Sequence, residues 1–144
     1  MTVYSRILVP LEHSSYDAAI LAHVRPLARL CGASIVLIHV ADGFAARNLK
    51  QLALRESEEM QKDRAYLEGL CADLERDGFD ADAVLANGDP AHEILGAAER
   101  ERCDLIAMAT HGHRLVGDIV YGSVANTVRH RAAVPVLMLR GSRS

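Results

Sequence analysis

Short aliphatic and β-branched runs alternate with longer segments of helical periodicity along this 144-residue chain, and few folds accommodate that order. The run Ile7-Leu8-Val9, inside a strand expected over Val3 to Pro10, lacks the in-and-out alternation of a half-exposed strand and suits one buried on both faces. Ser14 or Ser15 then offers an N-cap. Ile20, Leu21, Val24, Leu27, Ala28 and Cys31 follow on one helical face, and Gly32 ends the helix. Pro26 removes a backbone donor inside it, so a kink or local break is expected between Ala22 and Pro26. Ser34 to Val40 is a second strand, leading into Ala41-Asp42-Gly43 and a linker. From about Leu49 to Asp77 the longest helix carries Met60, Leu67, Leu70, Cys71 and Leu74 on one stripe, with Gly78 after it. Asp80 to Ala86 is the third strand. Asp89-Pro90 places an N-cap residue before a proline at the first position of a helix running to about Arg102. Asp104 to Ala109, a short helix over Ser123 to Arg131, and Val134 to Leu139 complete the order βαβαβαβαβ. Right-handed crossovers between parallel strands turn this order into an open, doubly wound five-stranded sheet with helices on both faces. Ligands of such sheets bind beyond the carboxyl ends of the strands, so the exits of the first, second and fourth strands hold the candidate residues.

The length suits one domain, residues 1–144. Sixteen basic against nineteen acidic residues leave a formal charge of −3, too weak and of the wrong sign to hold a polyanion, so nucleic acid is not an expected partner. Cys31, Cys71 and Cys103 are odd in number and form no CxxC pair, which points to reduced core thiols and not to a disulfide framework or a thiolate metal site. No basic leader precedes an apolar segment and no run approaches the roughly 18 residues of a membrane span; a cytoplasmic protein is expected, without membrane insertion.

The exit of the fourth strand is the richest in chemistry. It reads Met108-Ala109-Thr110-His111-Gly112-His113-Arg114 and continues to Gly122-Ser123-Val124, where the short helix is expected to begin. Gly112 would let backbone approach a ligand closely, while Gly122 and Ser123 would present free N–H groups and a hydroxyl to an anion at a helix N-terminus. The plainer alternative is that the glycines only turn the chain. His111 and His113, even with His39, lack a third nearby ligand and make a poor metal site, so no metal is assigned and a place at the phosphate pocket is expected. Glu12 and Asp89 could pair for acid–base work, but Asp89 is accounted for as a helix cap. The charges of the long helix, Arg55, Glu58, Glu59 and Lys62, read as a solvated face.

The spacing of Gly112, nine residues, then Gly122-Ser123 resembles the latter part of the Gly-x2-Gly-x9-Gly-Ser/Thr signature of the universal stress proteins, with Ala109 at the first glycine. Ile7-Leu8-Val9-Pro10, Ile38-His39-Val40, Gly88-Asp89-Pro90 and Pro135-Val136-Leu137 are similar to the same family, so the resemblance spans nearly the whole chain. It implies a Rossmann-like fold of the adenine nucleotide α-hydrolase type. It also implies ATP or AMP as ligand, with Mg optional beside the phosphates, and a stress-response module that binds without robust catalysis. Pro10, Leu11 and Glu12 match the family's first-strand exit, where Glu12 takes the place of an aspartate. Val40 and Met108 match positions lining the adenine pocket, and Ala109, His111, Gly112, His113, Arg114, Gly122, Ser123 and Val124 match the phosphate segment, with His113 and Arg114 both candidates to meet phosphate. A homodimer through Val134 to Leu139 is implied as well, in keeping with the unpaired groups an apolar edge strand presents. Two other classes stay open. A slow ATPase or nucleotide-dependent transferase would need an activating lysine, a metal carboxylate and a positioned base, of which few are present and no Gly-x4-Gly-Lys-Ser/Thr. A nucleotide-free adaptor regulating a partner such as a transporter would be compatible with Ala109 and Glu12.

Overall fold

The computed structural model describes residues 3–42, 49–111 and 116–141. In chain order the elements are β1 (Arg6–Pro10), α1 (Tyr16–Cys31), β2 (Ser34–Asp42), α2 (Leu49–Arg76), β3 (Ala81–Gly88), α3 (Pro90–Arg100), β4 (Leu105–His111), α4 (Val116–Arg131) and β5 (Val136–Gly141). They form one parallel sheet of order β3-β2-β1-β4-β5, so the doubly wound parallel α/β architecture expected from the alternation is the one observed.

The aliphatic runs behave as strands buried on both faces. Ile7, Val9, Ile35, Leu37, Leu105 and Ala107 pack on one side with Ile20 and Val24 of α1 and Leu67 and Leu74 of α2. Leu8, Val36, Ile38, Ile106 and Met108 pack on the other with Ile94 and Ala97 of α3 and Ala125 and Val128 of α4. Each of the Ile, Leu, Val and Met side chains contributes about 1.5–3 kcal/mol by leaving water.

The helix boundaries follow local chemistry. Gly32, at φ 68°, takes the left-handed conformation that closes α1, and its N–H meets the carbonyls of Ala28 and Arg29. Asp89 caps α3, its carboxylate accepting the His92 N–H at 2.9 Å, with Pro90 at the first helical position. Gly88 lies at φ 135°, outside the range of residues with a side chain, and ends β3 just ahead of that cap.

Four expectations are corrected. β1 starts at Arg6, not Val3, because the Asp104 carboxylate takes the N–H groups of Ser5 (2.8 Å) and Arg6 (3.0 Å) at the amino end of the sheet. Helix α1 continues through Pro26 without a break; the ring is exposed, on the side away from the sheet. Ser15 stands at the N-cap of α1 but its side chain makes no cap bond, and Ser14 Oγ accepts the Tyr16 N–H instead, at 3.3 Å. The largest correction concerns α4, which begins at Val116 and not at Ser123. Val124, Ala125 and Val128 pack toward α3, and that tertiary contact carries the helix upstream through Gly122 despite its poor helix propensity. Among the described residues no helix is long and apolar enough to cross a membrane.

Candidate functional site

β1 is the central strand. The chain leaves it toward β2 on one side and returns to its other side only at β4, so the switch point of the winding lies beyond its carboxyl end. There a cavity of about 340 Å³ opens, within the size range of small-ligand sites. Pro10, Leu11 and Glu12 from the β1 exit, Ile38 to Ala41 from β2 and Asn87 from β3 supply its floor. Pro90 and Ile94 of α3, Val124 of α4, and Glu59, Met60 and Asp63 of α2 complete the walls.

The residues expected from sequence divide into three groups. Pro10, Leu11, Glu12, Val40 and Val124 are brought together around this cavity. Met108 and Ala109 are not: both are buried in β4, Met108 facing α3 and α4 and Ala109 facing α1 and α2, and neither borders the cavity. Gly122 and Ser123 lie inside α4, both exposed, and the Ser123 carbonyl accepts the Thr127 hydroxyl at 3.0 Å. Their N–H groups sit beyond the first helical turn, where intrahelical carbonyls ordinarily take them, so the free donors expected at these two residues are not at a helix terminus. His111 is the last residue of β4; Gly112, His113 and Arg114 lie outside the described residues.

The polar side of the site was not foreseen. Asp17, in the first turn of α1 and 3% exposed, accepts the N–H groups of Glu12 (2.9 Å), His13 (2.9 Å) and Ser14 (3.2 Å) and the hydroxyl of Tyr66 (2.7 Å). His13 adopts φ 62°, which turns the loop so that these consecutive N–H groups converge on one carboxylate. Its ring stacks on Tyr66 with centroids 3.9 Å apart, and its Nδ1 lies 2.7 Å from Asp63 Oδ1. His39 places Nδ1 2.9 Å from the Leu11 carbonyl, which can only accept, so that nitrogen carries the hydrogen; its Nε2 is 3.4 Å from Asp63 Oδ2. Burial and then the bond to Asp17 raise the Tyr66 hydroxyl above the ordinary phenol range, keeping it a donor. Glu12 Oε2 accepts the Ser14 hydroxyl at 2.9 Å. Glu59, assigned to a solvated face, is exposed yet borders the cavity. A signal for part of this was present: Met60, Asp63, Leu67, Leu70 and Leu74 follow one stripe, and a carboxylate on an otherwise apolar stripe needs a buried partner.

A parallel sheet of order 3-2-1-4-5 with a cavity at its switch point defines a Rossmann-like fold with a candidate small-ligand site. Residues 3–140 match the universal stress protein family, and the chain belongs to that family. It is 31% identical over 142 residues to a universal stress protein of Thermus aquaticus, covering 96% of this chain and all of that one. The solved structure of MJ0577, a universal stress protein of Methanocaldococcus jannaschii, superposes with a TM-score of 0.75 at 30% identity over 99% of this chain and 100% of that one. The universal stress protein of Archaeoglobus fulgidus in complex with dAMP shares the fold, with a TM-score of 0.70 at 20% identity over 96% of this chain and 100% of that one.

Proposed function

We propose that the cavity holds the nucleoside part of ATP or AMP, and that this universal stress protein works as a cytoplasmic regulatory module by binding and not by robust catalysis. The observation carrying this reading is the cavity of about 340 Å³ that gathers Pro10, Leu11, Glu12, Val40 and Val124 at the switch point. Pro10, Leu11, Ile38, Val40, Met60, Ile94 and Val124 give it apolar walls suited to a purine, and Asn87 and the strand-end backbone offer polar contacts at the rim. The dAMP complex of the Archaeoglobus fulgidus relative supports an adenine nucleotide as ligand.

Electrostatics orients the nucleotide. Glu12, Glu59 and Asp63 line the cavity, and among the described lining residues there is no lysine or arginine. Phosphates are repelled from that wall and leave toward the β4–α4 segment, where His111, Gly112, His113 and Arg114 follow in sequence. Met108, Ala109, Gly122 and Ser123 do not border the cavity and so do not enclose the base. In this reading Glu12, which lines the cavity, accepts from the ribose hydroxyls. Its carboxylate is also an oxygen donor of the kind Mg takes beside nucleotide phosphates, and the ion would neutralise phosphate charge when bound.

Calorimetric titration of ligand-stripped protein with AMP and ATP tests this. We expect saturable binding, weakened roughly tenfold to a hundredfold by Glu12→Gln, the range of one charge-assisted hydrogen bond, with the melting temperature of the empty protein unchanged. Unaltered affinity would remove Glu12 from the site. No binding of either nucleotide by the wild type would sink the reading.

A further inference from the structure

We propose that Asp17 and Tyr66 are positioning residues, which build the ligand cavity without touching its contents. The inference rests on the nucleotide-binding reading for its ligand but on the geometry for its substance. Neither residue lines the cavity. Leu11 and Glu12 do, and they sit on a loop whose next residue, His13, is held at φ 62° in the left-handed region that side chains disfavour. What holds it there is the Asp17 carboxylate, which receives the amides of Glu12, His13 and Ser14 at 2.9, 2.9 and 3.2 Å.

A carboxylate that is 3% exposed is costly unless its oxygens are satisfied, and the fourth donor, Tyr66 Oη at 2.7 Å, comes from α2. That bond ties the loop to the helix that supplies the opposite wall through Met60 and Asp63. One turn away Asp63 makes a second tie, to His13 Nδ1 at 2.7 Å. The two walls are thus fixed relative to each other before any ligand arrives, which is where affinity is gained when contacts alone do not supply it.

The same geometry excludes an alternative pose. Three successive N–H groups converging on one point form a concavity that would suit a phosphate, and here the chain's own carboxylate fills it. Phosphate therefore has no place at the β1–α1 turn.

Hydrogen exchange and AMP titration of Tyr66→Phe and Asp17→Asn test the proposal. Tyr66→Phe keeps the ring stacked on His13 and removes only the donor, so it stays informative even where Asp17→Asn folds poorly. We expect the amides of residues 12–14 to exchange roughly tenfold faster in Tyr66→Phe, with the melting temperature lowered only by what one lost hydrogen bond accounts for, and AMP affinity to fall by a similar factor. Asp17→Asn should do more of both, because its amide nitrogen cannot accept from the loop. Wild-type exchange at residues 12–14 in Tyr66→Phe would overturn the proposal whatever the titration gives. The exchange measurement needs no nucleotide, so it decides the positioning role even where the wild type takes none and the functional reading has failed.

Discussion

The cysteines show how burial sets the chemistry of single residues. Cys103 is 5% exposed beneath α3, and burial pushes its thiol up to about 11. Cys71 reaches about 11 as well, through burial and then its hydrogen bond to Glu75, while Sγ also donates to the Ala81 carbonyl at 3.2 Å. Both are therefore neutral at physiological pH and slow to alkylate; Cys103 is the core thiol expected, and Cys71 is half-buried. The folded chain keeps thiol protons that the unfolded chain releases from its ordinary value of 9.0 upward, so stability is full below that value and falls as pH rises toward about 11. Tyr66 adds a loss of the same sign above its own ordinary value of 10.0. Thermal melts across this window should show a declining melting temperature, and the double variant Cys71→Ser, Cys103→Ala should flatten the decline between 9.0 and about 11. An unchanged slope in that variant would refute the assignment.

Among the elements, those fixed by a strong local signal were legible in the sequence. Doubly buried strands, Gly32 closing α1, and the Asp89-Pro90 start of α3 all rest on short-range chemistry, and the structure places them within a few residues of the expectation. The start of α4 was not legible, because a glycine-rich stretch reads as loop until its neighbours are known and only packing against α3 reveals a helix. The Asp17 network was equally hidden: its donors come from the loop and from Tyr66, and only the fold brings α2 beside the β1 exit. Placing Gly122 inside a helix changes what a substitution there should do. A Cβ added at Gly122 meets no atom within 4 Å, and the same holds for Gly69 inside α2. Gly69→Ala and Gly122→Ala should each stabilise the empty protein by about 0.5–1 kcal/mol, raising the melting temperature. Gly69→Ala should leave nucleotide affinity untouched, whereas a loss confined to Gly122→Ala would mean that the α4 glycine approaches the phosphates after all.

For the molecule as a whole, the sheet offers two edges, β3 and β5. Val136 to Leu139 on β5 are half-buried and aliphatic, and such an edge favours a second copy of the chain. We expect light scattering at micromolar concentration to give twice the mass of 15.7 kDa; a monomer mass would refute the dimer.

The strand order also dictates a sequence of assembly. Ile7 pairs with Ile35 on one flank but with Leu105 on the other, so the middle of the sheet is synthesised first and completed almost last. As the chain leaves the ribosome, everything through β3 can associate while the second flank of β1 stays open, an unpaired template for the wrong partner. Only when Asp104 and Leu105 emerge does that flank close, and the Asp104 carboxylate fastens Ser5 and Arg6 at the same moment. A chain with only residues 1–103 outside the ribosome therefore lacks the partner for one flank of its central strand, and that flank is open to aggregation and to chaperones.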